Sequence, residues 1–284
     1  METDSWLRGR RATALPFTDE CAPLGGDREN FGRLFADAVA WGKSRGWKSI
    51  ECRGGRNLFA GEVPTSLSFY GHWLDLTVGK KMLFENLDGA MRQAVRKAEK
   101  EGVKVTFSPD MEAMRTFYNL QCLTRKRHGL PPQPHQFFVN IQRYILSKGL
   151  GTIAIASHKE EKIAASVYFY LGGRAIYKYG ASDFNRQNLR GSNLVMWEAM
   201  KWLAGNGIKS LHLGKTSQQN DGLRRFKLNL GAREEVIDYV KFDLRQERFV
   251  TEADAIAGWH NRVFRILPGF MSRAAGRLLY KHWA

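Results

Sequence analysis

Residues 207–231 read GIKSLHLGKTSQQNDGLRRFKLNLG. Positions 208–213 alternate apolar and polar side chains, the period of a half-buried strand, and Gly214 lets the chain turn. Residues 215–222 carry hydroxyls, amides, one lysine and one aspartate and no large apolar side chain, so they form a polar loop. A helix then begins and carries the basic-aromatic triplet Arg225-Phe226-Lys227. A polar loop that leaves a strand and enters the amide-rich start of a helix suits an anionic or amide-containing ligand.

Outward from this stretch runs an ordered series: Tyr177-Lys178-Tyr179-Gly180-Ala181-Ser182, then Trp197-Glu198-Ala199, Gly207, Leu213-Gly214, Gly222-Leu223-Arg224-Arg225-Phe226-Lys227 and Gly231. In order and spacing it resembles the second GNAT-type domain of the FemAB family. That family comprises peptidoglycan interpeptide-bridge aminoacyltransferases and relatives found in exopolysaccharide gene clusters. The similarity continues upstream through residues 92–105 and 124–129 and spans about residues 80–240. It implies an α+β fold, a GNAT-like mixed sheet flanked by helices, in a tandem GNAT-like arrangement. Leu15-Pro16-Phe17-Thr18-Asp19 resembles an element inside the first domain of these relatives, in which many residues precede it. Here 14 do, so the resemblance implies a truncated first domain over 1–108 and a second over 109–245; the basic amphipathic tail over 246–284 is not explained by it.

Lys+Arg of 44 against Asp+Glu of 28 gives a net charge of +16, and 43% hydrophobic and 12% aromatic residues mark a folded chain. The charge predicts an anionic partner: nucleic acid, an acidic membrane, or a phosphate-bearing substrate such as a nucleotide, coenzyme A, a lipid diphosphate or aminoacyl-tRNA. Surface charge that only solubilises is the competing account. Cys21, Cys52 and Cys122 are widely spaced, which fits reduced thiols and no metal motif. Cys122 reads as a core residue. The opening METDSWLRGRRATALPF lacks an apolar run, and no segment approaches ~18 uninterrupted apolar residues, so a soluble, cytoplasmic protein is expected.

Periodicity predicts helices over 28–46, 82–100, 111–128, 135–147 and 192–204. Strands are expected over 47–52, 67–78, 103–107, 152–157, 162–171, 174–180 and 236–244, with a hairpin turn at Gly172-Gly173 and a rigid Pro-rich connector at 130–134. Arg92, Arg96 and Lys100 recur at four residues on one helical face, which is either an anion-binding stripe or a solvated face relieved by Glu99 and Glu101.

Acyl transfer to an amine needs a held donor, a deprotonated amine and stabilisation of an oxyanion. No G-x-S-x-G or H-E-x-x-H signature offers another chemistry. The position of an acetyl-CoA phosphate loop reads Arg186-Gln187-Asn188-Leu189-Arg190-Gly191-Ser192, an imperfect match that still brings Arg190 and unpaired amides together at a helix start. By the resemblance, Lys227 brings its ammonium to the reacting carbonyl while Phe226 anchors the turn. A surface lysine beside Arg224 and Arg225 is the plainer reading of the same residue. Tyr179 is a substrate hydrogen-bond donor or a core tyrosine. His212 is a base or, as a lone strand histidine more often is, a structural residue, and Asp183 and Asp221 are other base candidates that the sequence leaves unranked. Lys215, Asn220 and Arg225 complete the substrate-binding set with Arg92, Arg96 and Arg190.

These features lead to a GNAT/FemAB-type N-acyltransferase that forms an amide on a cell-envelope or exopolysaccharide precursor amine. It would bind no cofactor tightly and would take its acyl group from aminoacyl-tRNA or an acyl-CoA. A non-catalytic GNAT-fold module that binds nucleic acid or anionic membrane is the alternative. In the tail, Trp259, Val263, Ile266, Phe270, Leu267, Met271 and Leu278 recur among Arg262, Arg265, Arg273, Arg277 and Lys281, with Pro268-Gly269 between. This is the pattern of either a peripheral membrane contact over 251–284 or a helix packed on the core.

Overall fold

The computed structural model describes residues 1–6, 8–24, 26–253 and 264–282. Its centre follows from the composition of residues 151–182. In strand β6 (Gly151–His158), Ile153 and Ile155 join one core and Ala154 and Ala156 the other, all four buried. A strand buried on both faces belongs inside a sheet covered by helices on both sides. Strands β7 (Glu161–Leu171) and β8 (Arg174–Ser182) follow as a hairpin. Gly172 and Gly173, both at positive φ, make its turn.

β5 (Lys104–Ser108) closes this end of the sheet beside β6, while β9 (Ser210–His212) lies on the far side of β8 and runs parallel to it. β4 (Leu67–Asp75) pairs antiparallel with β9 and with β11 (Arg233–Asp243), and β11 pairs with β3 (Ser49–Arg53). β2 (Arg11–Thr13) and β1 (Glu2–Thr3) complete the path. The short β10 (Thr216–Ser217) and β12 (Arg248–Phe249) attach to β4 and β11. The result is one mixed, 12-stranded sheet of the expected α+β class. Strands from either side of residue 108 alternate in it, since β11 lies between β3 and β4.

Helices cover both faces. α3 (Gly89–Lys100) and α6 (Gly191–Gly205) bury Met91, Val95, Val195, Met200 and Leu203 on one. α4 (Met111–Arg127) and α5 (His135–Tyr144) bury Met114, Phe117 and Phe138 on the other. α1 (Arg28–Ser44) rests Phe31 and Phe35 against Phe59 and Phe249 near the β11 end.

Three expectations from the sequence need correction. The helix expected over 82–100 is two, α2 (Gly79–Glu85) and α3, because the Asp88 carboxylate accepts from Ala90 N–H and caps a new helix. The strand expected over 67–78 ends at Asp75, whose carboxylate turns back to accept from the Thr77 N–H. The strand expected over 208–213 is only Ser210–His212, and the loop after it contains β10.

Helix α7 (Asp221–Leu228) carries the basic-aromatic triplet. Helix α8 (Gly269–Leu279) lies after the Pro268 break. Trp259, Arg262 and Val263 fall outside the described residues. Among the described residues no helix is long and apolar enough to cross a membrane.

Candidate active site

β8 and β9 stay paired only from Arg174/Ser210 to Ile176/His212. β8 then continues to Ser182, whereas the other chain turns at Gly214, φ +74°, toward β4. A wedge therefore opens between residues 177–182 and 213–216. A bulge in β8 sits beside it: Val167 pairs with Tyr179 and Tyr168 with Tyr177, which leaves Lys178 unpaired. The bulge lets sequence neighbours Lys178 and Tyr179 face the same side, where both line a groove of about 1410 Å³.

Lys227 reaches the wedge from α7. The residue is 3% exposed, and its Nζ donates to the peptide oxygens of Gly214 at 2.7 Å and Lys215 at 3.2 Å. An ammonium has three N–H donors, so one remains without a partner among the described residues. Burial pulls its pKa down to about 8, opposed by the Asp19 carboxylate. Asp19 arrives on the segment that follows β2. Its Oδ2 lies 3.8 Å from Lys178 Nζ, and Lys178 donates to the Phe17 peptide oxygen at 2.6 Å. The Tyr239 hydroxyl donates to the Asp19 peptide oxygen. A side chain at Gly214 would come 3.1 Å from Asp19 Oδ2, so glycine serves both the positive φ and the close carboxylate.

His212 lies in the floor of the groove, 5% exposed, with Nε2 unpartnered among the described residues and its ring 4.5 Å from that of Trp73. Burial lowers its pKa to about 4 and Lys227 adds to the effect, although Asp19 opposes it. The imidazole is thus neutral at pH 7. One end of the groove is apolar, with Phe137, Ile141, Ile145, Phe169 and Tyr179. The rest of the lining is polar and mixed in charge, with Asp19, Glu20, Asp75 and Glu235 beside Arg174, Lys178, Lys209 and Arg233. Glu20 has its pKa raised by burial and by Glu235, whose carboxylate accepts from Trp73 Nε1. Behind α7, Arg224 forks onto Glu234 at 2.7 Å on both oxygens, and Glu234 meets His72 Nε2 at 3.1 Å. That chain fixes α7, and with it Lys227, on β4 and β11.

Of the residues singled out in the sequence, the groove is lined by Tyr179 and His212, while Lys227 lies behind that lining and acts on His212 through its charge. Tyr179 packs against Phe137 and Phe138, and burial raises its pKa. Lys215 lies over Phe69 at 3.9 Å and donates to the Tyr239 hydroxyl at 3.2 Å. The Asn220 side chain caps α7 by accepting from Leu223 N–H, and Arg225 is exposed on that helix. Arg190 adopts φ +56° as the residue before α6 and is exposed. Arg92 donates to the peptide oxygens of Glu85 and Leu87, joining α2 to α3, while Arg96 lies 5.5 Å over Phe84. Lys178 and Trp73 were missed as groove residues, and Asp19 was known only as part of a motif. The bulge that exposes Lys178 leaves no mark in a single sequence. Among the described residues no three His, Cys, Asp or Glu converge on a metal site.

Residues 88–228 match the family model of the acetyltransferase (GNAT) domain. In fold the chain is similar to FemX, with TM-score 0.60, 15% identity, and coverage of 74% of this chain and 76% of that one. It is similar also to L-PGS from Bacillus licheniformis, TM-score 0.52 at 13% identity over 72% of this chain and 71% of that one. A tandem GNAT protein from the clavulanic acid biosynthesis pathway gives 0.51 at 12% identity over 78% and 72%. Among curated proteins none matches the chain. The match to the acetyltransferase (GNAT) domain thus spans residues 88–228, and the fold of the chain is GNAT-like and similar to that of FemX.

Proposed function

We propose that this protein is an acyl- or aminoacyltransferase that forms an amide bond on an amine of a cell-envelope or exopolysaccharide precursor. The observation that carries the reading is the buried Lys227 ammonium at the wedge, with two donors tied to peptide oxygens and a third left over. A cation held this way needs no reorganisation to meet charge that develops on a carbonyl oxygen. In the proposed reaction, a neutral amine nitrogen attacks the carbonyl carbon of an ester or thioester, and a C–N bond forms. Negative charge collects on the carbonyl oxygen facing Lys227. Collapse of the tetrahedral intermediate breaks the C–O or C–S bond. The nitrogen gives up a proton, and the departing oxygen or sulfur takes one up.

His212 contributes an uncharged acceptor in the groove floor, able to orient the amine through one N–H. The apolar end suits an acyl chain or amino-acid side chain. The polar part of the lining, where carboxylates and cations are mixed, suits the polar, amine-bearing acceptor. The FemAB-like fold supports aminoacyl transfer, and +16 suits aminoacyl-tRNA as donor, with acyl-CoA as the other source. The acceptor would be a lipid-linked or nucleotide-linked sugar met in the cytoplasm.

Thermal shift of the full chain with a charged tRNA pool, acetyl-CoA and UDP-linked sugars tests the reading, because only ligands of the native state raise the midpoint. A midpoint raised by a donor and moved less in Lys227→Met supports it. No shift with any of the three overturns it.

A further inference from the structure

α8 docks by its small side. Ser272 and Gly276 are buried, and a Cβ on Gly276 would come 1.9 Å from the Pro132 peptide oxygen. Beyond the helix, Tyr280 stacks on Phe17 at 5.1 Å between centroids, and His282 meets the Ser5 hydroxyl and the Trp6 indole N–H. The segment is therefore held on the domain, yet it turns its large apolar side chains outward. Ile266, Phe270 and Leu278 are 84%, 67% and 68% exposed, and Met271 is also exposed.

At 3.6 residues per turn, Phe270, Ala274 and Leu278 form one row with Met271 at its edge, and Arg273 and Arg277 form the next. Arg115 on α4 joins Arg273, Asn119 and His135 around a second cavity of about 560 Å³ at the α4–α8 seam. No carboxylate is among the described residues that line it, and Leu123 in that lining is exposed.

We propose that α8 and the outer side of α4 form a docking surface for an anionic lipid bilayer. Ile266, Phe270, Met271 and Leu278 enter the acyl boundary, while Arg265, Arg273, Arg277 and Arg115 meet headgroup phosphates. Charge complementarity chooses an anionic occupant, and the apolar row chooses lipid over nucleic acid. An RNA surface pairs its arginines with aromatic stacking platforms, whereas this row is largely aliphatic. The arrangement is that of an interfacial helix lying in the membrane plane. Lys227 and the groove take no part in it, so it stands apart from the proposed reaction.

Co-sedimentation of the full chain with vesicles of phosphatidylglycerol and phosphatidylcholine, against phosphatidylcholine alone, tests it. The wild type is expected to pellet with the anionic vesicles and far less with the neutral ones. Arg265→Gln with Arg277→Gln should weaken partitioning by about fivefold per arginine. Phe270→Ser with Leu278→Ser should weaken it by tenfold or more, and both pairs, being exposed, should melt as the wild type does. Lys227→Met should still bind, so failure of the transfer reaction would leave this result untouched. Equal pelleting with neutral vesicles, variants that bind like the wild type, or loss of bulk tRNA binding in place of vesicle binding would each overturn the proposal.

Discussion

The Nζ of Lys227 donates to the peptide oxygen of Gly214 at 2.7 Å, so the strand that leaves the β8–β9 wedge is tied to α7 through one buried ammonium. The folded protein binds that proton less tightly than the unfolded chain, since burial lowers the pKa from 10.5 to about 8. Between those values the unfolded state carries more protons, and stability must rise with pH. The difference in unfolding free energy between wild type and Lys227→Met should therefore grow in favour of the wild type from pH 8 to 10.5. A difference flat across that window would show that the lysine is not buried as described.

His212 gives the acid counterpart. Its pKa falls from 6.5 to about 4, so the unfolded chain takes up the proton first and stability is lost as pH drops between those values. The loss should be on the order of 3 kcal/mol at its full extent. His212→Leu should flatten this acid limb in urea melts. The same variant should raise KM for the amine more than it lowers kcat, if the imidazole orients the acceptor. An acid limb unchanged by the substitution would count against a buried neutral imidazole.

Gly214→Ala places a methyl group 3.1 Å from Asp19 Oδ2 at a backbone angle that side chains avoid. The cost should be about 1–2 kcal/mol, and because Gly214 supplies the acceptor for Lys227, turnover should fall more than stability alone explains. Gly46→Ala, also at positive φ but with open space around it, is the control: it should lose similar stability and keep its turnover. Equal turnover in the two variants would detach Gly214 from the site.

Arg92→Ala should act on stability. Its guanidinium holds the Glu85 and Leu87 carbonyls at the α2–α3 junction, and its loss should cost about 1–2 kcal/mol in chemical denaturation. Donor affinity and its salt dependence should stay at wild-type values. Weakened, less salt-sensitive donor binding with normal stability would return Arg92 to the substrate-binding set.

Local chemistry made most elements legible in the sequence. Asp110 caps α4 with its own carboxylate, Gly172-Gly173 turns the β7–β8 hairpin, and the two apolar faces of β6 announce a covered sheet. What failed was either a single side chain beating a periodic pattern, as Asp88 does between α2 and α3, or pairing across long separations. β11 pairs with β3 and β4 over more than 150 residues, and no local signal orders strands at that distance. The wedge was partly visible, since Gly214 and Lys227 lie in one motif. Asp19 and Lys178 come from 195 and 36 positions before Gly214 and meet it only through the sheet.

The most direct test of the central claim is transfer of label from a charged tRNA pool, or from labelled acetyl-CoA, to amine-bearing UDP-linked precursors, with wild type and Lys227→Met side by side. The account predicts amide-linked label with the wild type from one of the two donors. In Lys227→Met the rate should fall on the order of a hundredfold while the protein still melts cooperatively. Equal rates in the two proteins, or no transfer from either donor by a folded wild type, would contradict it.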